Sequence, residues 1–424
     1  MIPSRLVAID ASGDASGDEA IAPAIVMVAS GAQPGALVLP PNAELGRRVA
    51  AAGRIQEITD ERMSRDHATV TRDGELWVIT DLDSRNGTFV DGERITGELR
   101  RRGNVVLRLG HTVFALLTDA RDQPAHDGDP VVGPELARAH ARIREHAAAA
   151  ALLIYGEPGS GKELAARMFH AAGPRAAGPF VAVNCAAIPE GVAPRLLFGG
   201  TKGAIKTIGH LQMARGGTLF LDEIADLDDA AQVELERVLA QHADELAIVA
   251  GAHELRAAVS DKRFSAALYH KLIACAVQLP PLRLRKVDIA RLVQREVADA
   301  AARSHKPLAP HAKLIETCML RFWPGNVREL RATVKHAAGA AAAAERDVVR
   351  VEDLPDGAGL AGGTASGETA VERPKNAIVD IDRATLLAAL ERANGVVSVA
   401  ARSLGVHRSQ LYKLMEQHGI AHDV

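Results

Sequence analysis

The sequence is short of cysteine, of surplus charge and of long apolar runs. Its only cysteines are Cys185, Cys275 and Cys318, and they stand far apart without CxxC or Cys/His ligand spacing. This excludes a disulfide framework and a structural zinc site and favours a reducing, cytoplasmic setting. The net charge of −3 and the isoelectric point near 6.6 exclude a generally basic surface, so any nucleic-acid contact must come from a local patch.

The apolar segments are too short to span a membrane. Asp10, Asp14, Asp18 and Glu19 precede the first apolar segment, which is the wrong order for a signal peptide. With 424 residues and 47% apolar content, the chain is long enough for two or three globular domains. We therefore expect a cytoplasmic, multidomain protein that makes no membrane contact.

Composition and periodicity divide the chain into segments of different character. Short apolar runs between turn signals predict an all-β sandwich, alternating strands and helices predict a mostly parallel α/β sheet, and the later segments are helical. The predicted segments are a tail at 1–24, the sandwich at 25–119, a linker at 120–133, an α/β domain at 134–288, a helical lid at 289–355, a flexible linker at 356–377 and a helical unit at 378–424.

The stretch Leu152–Phe169, LLIYGEPGSGKELAARMF, runs from an apolar strand through a glycine-rich turn into a helix. Glycines let the backbone N–H groups converge on an anion, and the helix adds its positive N-terminal end. Lys162 supplies a charge for the β- and γ-phosphates of a nucleotide. A solvent-facing turn is the alternative. The predicted nucleotide contacts are Gly156, Glu157, Pro158, Gly159, Ser160, Gly161, Lys162 and Glu163.

A second segment, GGTLFLDEI at 216–224, ends an apolar strand with two acids. Open α/β sheets bind their ligands at the carboxyl ends of strands. Asp222 is therefore predicted to hold Mg²⁺, and Glu223 is the candidate catalytic residue that orients or deprotonates an attacking water. Two such acids alone are more typical of a helix cap, but their distance from the phosphate loop favours a nucleotide site.

Within the predicted sandwich, the informative residues lie on three loops: Glu44–Arg47, Met63–Ala68 and Asp81–Thr88. The order and spacing of these loops closely resemble those of the forkhead-associated (FHA) domain. The resemblance implies an all-β FHA sandwich whose partner is a phosphothreonine-containing protein. His67, on the second loop, is expected to be an internal hydrogen-bonding brace rather than a ligand contact.

By this resemblance Arg47 and Ser64 hold the phosphate, Arg65 assists, and Arg85 with Asn86 hold the peptide backbone. A dianionic phosphate is best held by an arginine fork together with neutral donors on rigid loops, so the chemistry agrees. Asn86 and the glycine after it also suit a plain hairpin turn. A protein-docking sandwich without phosphate dependence is therefore the alternative.

Motifs GEPGSGKE, FVAVNCAA, GGTLFLDEI, LPPLR and WPGNVREL follow one another through the α/β and lid segments. Together they resemble the AAA+ domain of sigma-54-dependent enhancer-binding transcription activators. The resemblance implies ATP and Mg²⁺ as cofactors and a homo-oligomer. It also implies Asn184 as a polar switch facing Glu223, and Arg328 as a sensor arginine that reaches the nucleotide from the lid. Glu163 stands where the family usually has Ser or Thr.

The departures from that family pattern concern hydrolysis. The stretch Gly203–Ile208 replaces the GAFTGA loop that touches the sigma factor, and Ser265 and Lys271 occupy the two places where arginine fingers are expected. Serine cannot neutralise transition-state charge, and lysine lacks the planar fork of arginine. We predict ATP–Mg²⁺ binding with poor hydrolysis, and no remodelling of sigma-54 RNA polymerase. The alternative is that His253 or Lys271 substitutes for the missing groups.

The final segment has the pattern of an all-α helix-turn-helix, and SVAARSLGVHRSQLYKLMEQHGI resembles the Fis-type DNA-binding domain. The start of a recognition helix reaches base edges, whereas flanking cations bind phosphates. An ordinary solvated helical face is the alternative. The predicted base contacts are His407, Arg408, Ser409 and Gln410, and the predicted phosphate contacts are Arg402 and Lys413.

These expectations combine into a cytoplasmic bacterial transcription regulator with three working parts. They are a phosphothreonine-sensing FHA sandwich, an α/β AAA+ P-loop domain with an α-helical lid that binds ATP mainly for oligomerisation, and a Fis-type DNA reader. An active ATPase that activates sigma-54 promoters, with the sigma-54 polymerase as a further partner, is the alternative. A signalling scaffold without DNA reading is a third.

Overall fold

The computed structural model describes residues 22–30, 33–34, 37–51, 54–121, 132–202, 205–241 and 245–360, together with Leu386 and Met415. Within this part of the chain, no helix combines the length and apolar content needed to cross a membrane. The predicted DNA contacts Arg402, His407, Arg408, Ser409, Gln410 and Lys413 lie outside the described residues. Leu386 and Met415 are helical and buried.

A β-sandwich comes first in the chain, as predicted. Its strands are β1 (Ala24–Ser30), β2 (Gln33–Pro34), β3 (Val38–Leu39), β4 (Ala43–Leu45), β5 (Arg48–Ala51), β6 (Arg54–Glu57), β7 (Ala68–Asp73), β8 (Leu76–Asp81), β9 (Thr88–Val90), β10 (Glu93–Ile95), β11 (Glu98–Arg102), β12 (Val105–Leu109) and β13 (Thr112–Leu117). One sheet has the order β10-β9-β12-β13-β1-β2, with β3 pairing β1, and the other has the order β11-β8-β7-β4.

The second sheet contains strands that the apolar pattern did not predict. In β7 the buried residues are Ala68 and Val70, and the remaining positions are polar. In β11, ELRRR, no residue is buried, and the strand pairs with β8 at the edge of its sheet. Such charged edge strands are stabilised by ladder hydrogen bonds rather than by apolar burial, so hydrophobic periodicity misses them.

The α/β domain follows, and its sheet is parallel throughout, as predicted. Its elements are α1 (Pro134–Glu145), β14 (Ala151–Tyr155), α2 (Lys162–Ala172), β15 (Phe180–Asn184), α3 (Ala193–Phe198), β16 (Gly200–Lys202), β17 (Ile205–Thr207), α4 (His210–Met213), β18 (Thr218–Asp222), α5 (Asp229–Gln241), β19 (Ala247–Ala252), α6 (Leu255–Ser260), α7 (Ala266–Ile273) and β20 (Ala276–Gln278). The sheet order is β15-β18-β19-β14-β20, which gathers the carboxyl ends of the strands at one edge.

The lid is helical, with one short strand pair that the sequence did not predict. Its elements are α8 (Lys286–Ser304), β21 (Ala309–Pro310), α9 (Ala312–Leu320), α10 (Asn326–Ala343) and β22 (Val348–Val349). Strands β21 and β22 pair in parallel, and Trp323 lies fully buried between the helices.

The lid extends beyond its predicted end at residue 355. Residues 356–360 were assigned to a flexible linker, but the Gly359 carbonyl accepts hydrogen bonds from the Phe322 and Trp323 amides at 2.8 and 3.1 Å. The Gly359 amide in turn donates to Glu329 at 2.9 Å. The Gly- and Ala-rich composition predicts a flexible linker here, but small residues also permit close approach to an aromatic ring, and Gly359 bonds to the lid.

Candidate functional site

The predicted phosphate loop lies at the carboxyl end of β14 and leads directly into α2. Gly159 and Gly161 have φ values of 75° and 107°, in the region that glycine adopts without strain. The Gly156 amide donates to the Ala252 carbonyl at the end of β19, at 3.1 Å. Lys162 begins the helix. The loop therefore presents backbone N–H groups and a helix N-terminus at the same sheet edge, as an anion site requires.

Lys162 and Glu223 meet across this edge. The Lys162 Nζ atom lies 2.9 Å from the Glu223 Oε1 atom, although the Lys162 side chain is only 5% exposed. Glu223 follows β18 in a left-handed backbone conformation, φ 50° and ψ 52°. A non-glycine residue in this conformation is uncommon and occurs often at functional sites. The predicted cation and the predicted catalytic acid are thus brought together.

Asp222 ends β18 beside Glu223, and its Oδ1 atom accepts the Glu223 amide at 3.1 Å. Burial raises the pKa of the Asp222 carboxyl, against the nearby Lys162 ammonium, which lowers it. A cation would reverse this burial penalty, because it stabilises the charged carboxylate. Asp222 therefore fits the role of a metal ligand.

The residues of the loop fit a nucleoside triphosphate with Mg²⁺. The Ser160 side chain is 3% exposed, and its Oγ atom is buried without a hydrogen-bond partner among the described atoms. An unpaired buried hydroxyl is costly, so a ligand oxygen is its natural partner. No group of three or more potential metal ligands occurs in the described ranges. Mg²⁺ keeps several waters and takes one or two carboxylates plus substrate phosphates, so the carboxylate of Asp222 is chemically compatible with it.

Two of the predicted contact residues have other partners. The exposed Glu163 side chain pairs with Arg167 one helical turn later, at 2.8 Å. Asn184 lies opposite Asp222 in the sheet register, but its Oδ1 atom caps the next turn by accepting the Ala186 amide at 3.1 Å. Glu223 bonds to Lys162 rather than to Asn184 in the described structure. The switch role of Asn184 therefore stays a prediction.

Hydrogen bonds to Glu157 connect the lid to the phosphate loop. The Glu157 carboxylate receives Arg283 in a bidentate pair, with oxygen–nitrogen distances of 2.7 and 2.8 Å, and the Asn326 side-chain amide at 3.1 Å. These bonds, the Arg283 bond foremost, lower the pKa of Glu157. The same Asn326 amide donates to the Pro158 carbonyl at 3.1 Å, and its Oδ1 atom accepts the Leu282 amide at 2.7 Å.

Asn326 is fully buried at the start of α10 with a φ of 52°. A Cβ added at Gly159 would lie 2.3 Å from the Gly325 carbonyl and 3.2 Å from the Cβ of Arg328. Arg328 itself is exposed, so it begins beside the phosphate loop with its side chain free to extend. The lid loop therefore lies directly against the phosphate loop, and the sensor role of Arg328 stays a prediction.

Sequence reasoning assigned no role to Arg283 or Asn326, although both lie inside the quoted motifs LPPLR and WPGNVREL. Arg285, which donates to the Ser160 carbonyl at 3.2 Å, was also missed. The available signal was an asparagine directly after a Pro-Gly pair, since Asn tolerates the left-handed conformation and has both donors and acceptors.

Ser265 and Lys271, the predicted departures from the family pattern, have structural partners. Ser265 is the N-cap of α7, and its Oγ atom accepts the Leu268 amide at 3.2 Å. Lys271 pairs with Glu236 on α5 at 3.1 Å. The segment predicted to replace the GAFTGA loop contains β17, which pairs with β16 in antiparallel fashion, and Gly203 and Ala204 lie outside the described residues.

The three sandwich loops converge into a second candidate site, a groove of about 480 Å³. Its lining residues are Arg47, Glu61, Arg62, Met63, Ser64, Arg65, Asp66, Arg85 and Asn86. All five predicted phosphopeptide contacts therefore lie together. A Cβ added at Gly46 would lie 1.7 Å from the Arg65 carbonyl, so only glycine allows the first two loops to approach this closely.

The groove is held in shape by internal hydrogen bonds. His67 is fully buried, and its Nδ1 atom accepts the Ser64 amide at 3.0 Å while Nε2 lies 3.3 Å from the Gly87 carbonyl. Burial lowers the pKa of His67, so the neutral ring donates from Nε2. This agrees with the expected bracing role of His67.

The groove offers arginines and a free hydroxyl hydrogen to an anion. The Ser64 Oγ atom accepts the Arg85 amide at 3.2 Å, which leaves its hydrogen for another acceptor. Arg47, Arg65 and Arg85 are exposed. The Asn86 side chain instead donates to the Arg62 carbonyl at 2.7 Å, so it ties two loops of the groove together.

Four families match successive parts of the chain. Residues 44–110 match the FHA domain, and residues 133–278 match the Sigma-54 interaction domain. Residues 283–369 match the AAA+ ATPase lid domain, and residues 377–418 match the family described as bacterial regulatory protein, Fis family.

Curated relatives are regulators of several bacteria. The DNA-binding transcriptional regulator NtrC of Rhizobium meliloti is 32% identical over 352 residues, which cover 71% of this chain and 72% of NtrC. The acetoin catabolism regulatory protein of Cupriavidus necator is 39% identical over 63% of this chain, and the transcriptional regulatory protein ZraR of Salmonella typhimurium is 33% identical over 62%. The chain spans 43% of the former relative and 62% of the latter.

Among solved structures, NtrX from Brucella abortus is similar over 68% of this chain and 69% of its own, with 27% identity and a TM-score of 0.50. NtrX in complex with ATP matches 69% of this chain and 70% of its own, with 26% identity and a TM-score of 0.50. With the relation to NtrC and the matches to each domain, the chain belongs to the family of Fis-type bacterial transcriptional regulators with a sigma-54 interaction domain, and it carries an FHA domain in addition.

Proposed function

We propose that this protein is a DNA-binding transcription regulator whose AAA+ domain binds ATP with Mg²⁺ mainly to assemble subunits, and whose FHA domain reads a phosphothreonine. The observation that carries the nucleotide part is the meeting of Lys162, Glu223 and the unpaired Ser160 hydroxyl at one sheet edge. The structure of the similar NtrX in complex with ATP supports the choice of nucleotide.

In this proposal the chain's own residues position the nucleotide. Bound ATP would supply the phosphates, and Mg²⁺ would neutralise part of their charge through Asp222. Lys162 would leave Glu223 for the phosphates, since a phosphate oxygen offers it more negative charge than a carboxylate does. Glu223 would then be free to hold a water. Arg328 would reach the site from α10 of the lid.

We infer poor ATP hydrolysis from Ser265 and Lys271, the two residues expected to complete the nucleotide site of a neighbouring subunit. Ser265 caps its own helix, and Lys271 pairs with Glu236. An arginine finger is worth about 10³–10⁵-fold in turnover in related phosphoryl transfers, and neither side chain offers the planar fork that provides it. Nucleotide binding without efficient turnover would make the AAA+ domain an assembly joint rather than a motor.

The phosphothreonine part rests on the groove of the sandwich. Exposed Arg47, Arg65 and Arg85 surround the Ser64 hydroxyl, whose hydrogen has no acceptor among the described residues. A dianionic phosphate has three acceptor oxygens that these donors can satisfy.

The proposal is tested on the purified full chain by measuring ATP binding and ATP turnover separately, with Mg²⁺ present. We expect saturable binding by calorimetry, slow phosphate release, and an increase in mass by sedimentation when ATP is added. Fast turnover that Glu223→Gln abolishes would favour the active sigma-54 ATPase instead. The absence of any change in mass would remove the assembly role.

The DNA-reading part has its own test. In a binding assay with a preferred site and with random DNA, Arg408→Ala and Gln410→Ala are expected to weaken the preferred complex by about 1–3 kcal/mol and to spare the random one. Lys413→Ala is the matched comparison, because a phosphate contact weakens both complexes alike. Equal losses on both DNAs for all variants would remove base reading, and no binding to either DNA would favour the scaffold.

A further inference from the structure

The sandwich and the lid share one buried apolar surface. Ile25 and Phe114 belong to the core between the two sheets, whereas Val26 and Val113, next to them in sequence, belong to a cluster that contains helices α8, α9 and α10. Neighbouring residues of a strand face opposite sides of its sheet. The outer face of the sheet that contains β1 and β13 is therefore covered by the lid instead of water. Every residue of β13 is buried.

An ion pair crosses this surface between β12 and α9. The Arg108 Nε atom lies 2.6 Å from the Glu316 Oε2 atom, and the two side chains are only 12% and 4% exposed. The Arg108 guanidinium also lies over the Phe89 ring at 3.9 Å. A buried pair of this kind is sensitive to displacement, because separation leaves each charge uncompensated in a poorly solvated place.

The turn after β12 connects this ion pair to the groove. Arg108 donates to the Gly110 carbonyl at 3.3 Å, and a Cβ added at Gly110 would lie 2.8 Å from the backbone carbon of Arg62. The buried Asp60 carboxylate accepts the Arg62 amide at 2.9 Å and the His111 amide at 2.7 Å. Arg62 lines the groove. The groove wall and the turn are therefore held as one unit.

A second contact joins the same turn to the start of α9. The rings of His111 and His311 are 5.4 Å apart, edge to face. His311 is the N-cap of α9, and its Nδ1 atom accepts the Lys313 amide at 3.1 Å. Both the beginning and the middle of α9 thus contact the sandwich.

The other end of α9 leads to the phosphate loop. The Cys318 carbonyl accepts the Trp323 indole N–H at 2.8 Å, and the Trp323 carbonyl accepts the Asn326 amide at 2.8 Å. Asn326 in turn donates to the Pro158 carbonyl. A continuous series of contacts therefore runs from the groove, along α9, to the nucleotide site.

We propose that peptide binding in the groove and nucleotide binding at the phosphate loop are energetically coupled through the docking of the sandwich on the lid, with Arg108 and Glu316 as the central contact. This inference rests on the proposed function, because it needs ligands at both sites. Coupling is reciprocal, so ATP must change the affinity for the peptide by the same factor as the peptide changes the affinity for ATP.

The test measures peptide affinity on the full chain with and without saturating ATP and Mg²⁺. The probe is a fluorescein-labelled peptide, the tightest-binding member of a phosphothreonine peptide library, followed by anisotropy. In the unmodified protein we expect ATP to change the dissociation constant at least about five-fold, in either direction. In the Arg108→Met/Glu316→Leu double variant, which leaves no unpaired charge, we expect the change to fall below two-fold. Equal constants in the unmodified protein would overturn the coupling.

The matched control removes another ion pair of the lid. Arg346 pairs with Asp353, whose side chain is 4% exposed, and among the described residues the printed bonds of both side chains stay within the lid. The Arg346→Met/Asp353→Leu variant is therefore expected to keep the full effect of ATP on the peptide. Loss of the effect in this control as well would overturn the assignment to Arg108 and Glu316.

A second measurement needs no peptide. Hydrogen exchange of the amides at 60–66 and 110–112 is compared before and after adding ATP and Mg²⁺, in the unmodified protein and in both double variants. If ATP changes the exchange of these amides but no peptide binds, the link between the groove and the nucleotide site stands and phosphothreonine reading is overturned. If the peptide binds but ATP changes neither the exchange nor the peptide affinity, phosphothreonine reading stands and the coupling is overturned. Absence of ATP binding in calorimetry overturns both the nucleotide site and the coupling.

Discussion

The Lys162 ammonium and the Glu223 carboxylate lie 2.9 Å apart at the carboxyl edge of the parallel sheet. Each satisfies the other, so a largely buried cation and a strained acid remain stable without a ligand. While the two groups contact each other, Lys162 is not available to bind a phosphate and Glu223 is not available to activate a water. In the proposed function, a bound phosphate would take Lys162 away before Glu223 could act on water, so the site would sense nucleotide before it could catalyse hydrolysis.

Replacing Lys162 by alanine is expected to weaken ATP binding about 10- to 100-fold, because one hydrogen bond between charged groups is worth about 1.5–3 kcal/mol. Calorimetry with ATP and Mg²⁺ measures the change. Lys335→Ala, an exposed lysine of α10, is the matched control and should leave the affinity unchanged. An unaltered affinity in Lys162→Ala would place the nucleotide elsewhere.

Replacing Lys271 by arginine is expected to raise ATP turnover about ten-fold or more, because the planar guanidinium restores part of an arginine finger that is worth about 10³-fold or more. Phosphate release under saturating ATP is the measurement. Ser265→Arg is the less clean variant, since Ser265 caps α7 and loss of a cap costs about 0.5–2 kcal/mol.

The control for this gain is Lys262→Arg, which makes the same exchange at an exposed lysine just before α7. It should leave turnover unchanged. If the unmodified protein already turns ATP over rapidly, or if Lys271→Arg slows it, Lys271 is not an impaired finger and the active-ATPase alternative gains support.

Replacing Arg47 by alanine is expected to weaken phosphothreonine-peptide binding about 10- to 100-fold, because a charge-assisted bond to the phosphate is lost. Fluorescence anisotropy measures the change, with the unphosphorylated peptide as reference. Arg100→Ala removes an equally exposed arginine that pairs with Asp73 and Glu98 on the second sheet, and it should bind normally. A protein that binds both peptides equally would be a docking sandwich without phosphate dependence.

Acidification is expected to destabilise the sandwich through His67. Burial lowers the pKa of His67 below its ordinary value of about 6.5, so the unfolded chain takes up the proton first as the pH falls. The stabilising contribution is complete above about pH 6.5 and is lost progressively below it. Protonation of the folded protein also removes the acceptor of the Ser64 amide, so peptide binding should weaken at the lower pH at which the folded His67 takes up its proton.

The measurement uses urea unfolding followed by the fluorescence of Trp77, which is fully buried in the sandwich, with Trp323→Phe to remove the other tryptophan. His67→Gln should flatten the dependence of the urea midpoint on pH between 7 and 5. His336→Gln, at an exposed histidine of α10, should not. An equal slope in all three proteins would assign the effect to other groups.

Local signals in the chain were enough for the phosphate loop. The strand, the glycines, Lys162 and the helix follow one another within a few residues, so their geometry is set by backbone preferences that the sequence displays directly. Asp222 and Glu223 were predictable for a related reason, since parallel strands bring their carboxyl ends to a common edge. The loops around Arg47, Ser64 and Arg85 were found through their resemblance to a known domain, and the structure gathers them into one groove.

Contacts between distant segments could not be predicted in this way. Asn326 and Glu157 are 169 residues apart, and Arg108 and Glu316 are 208 apart. No periodicity records such pairs, because each partner is an ordinary polar residue within its own element. Strand β11, in which every residue except Leu99 is charged, was not predicted because its pairing with β8, and not its own composition, stabilises it.

By itself, therefore, the sequence determined the three kinds of domain, the nucleotide loop with its two acids, and the identity of the groove residues. These depend on short-range backbone geometry and on residue types in a fixed order. Only the tertiary structure decided that Glu223 pairs with Lys162 and that Ser265 caps a helix. It also decided that the lid bonds to Glu157 and that the sandwich packs on the lid through Arg108 and Glu316. Those relationships depend on how separate elements pack, and packing is a property of the whole fold.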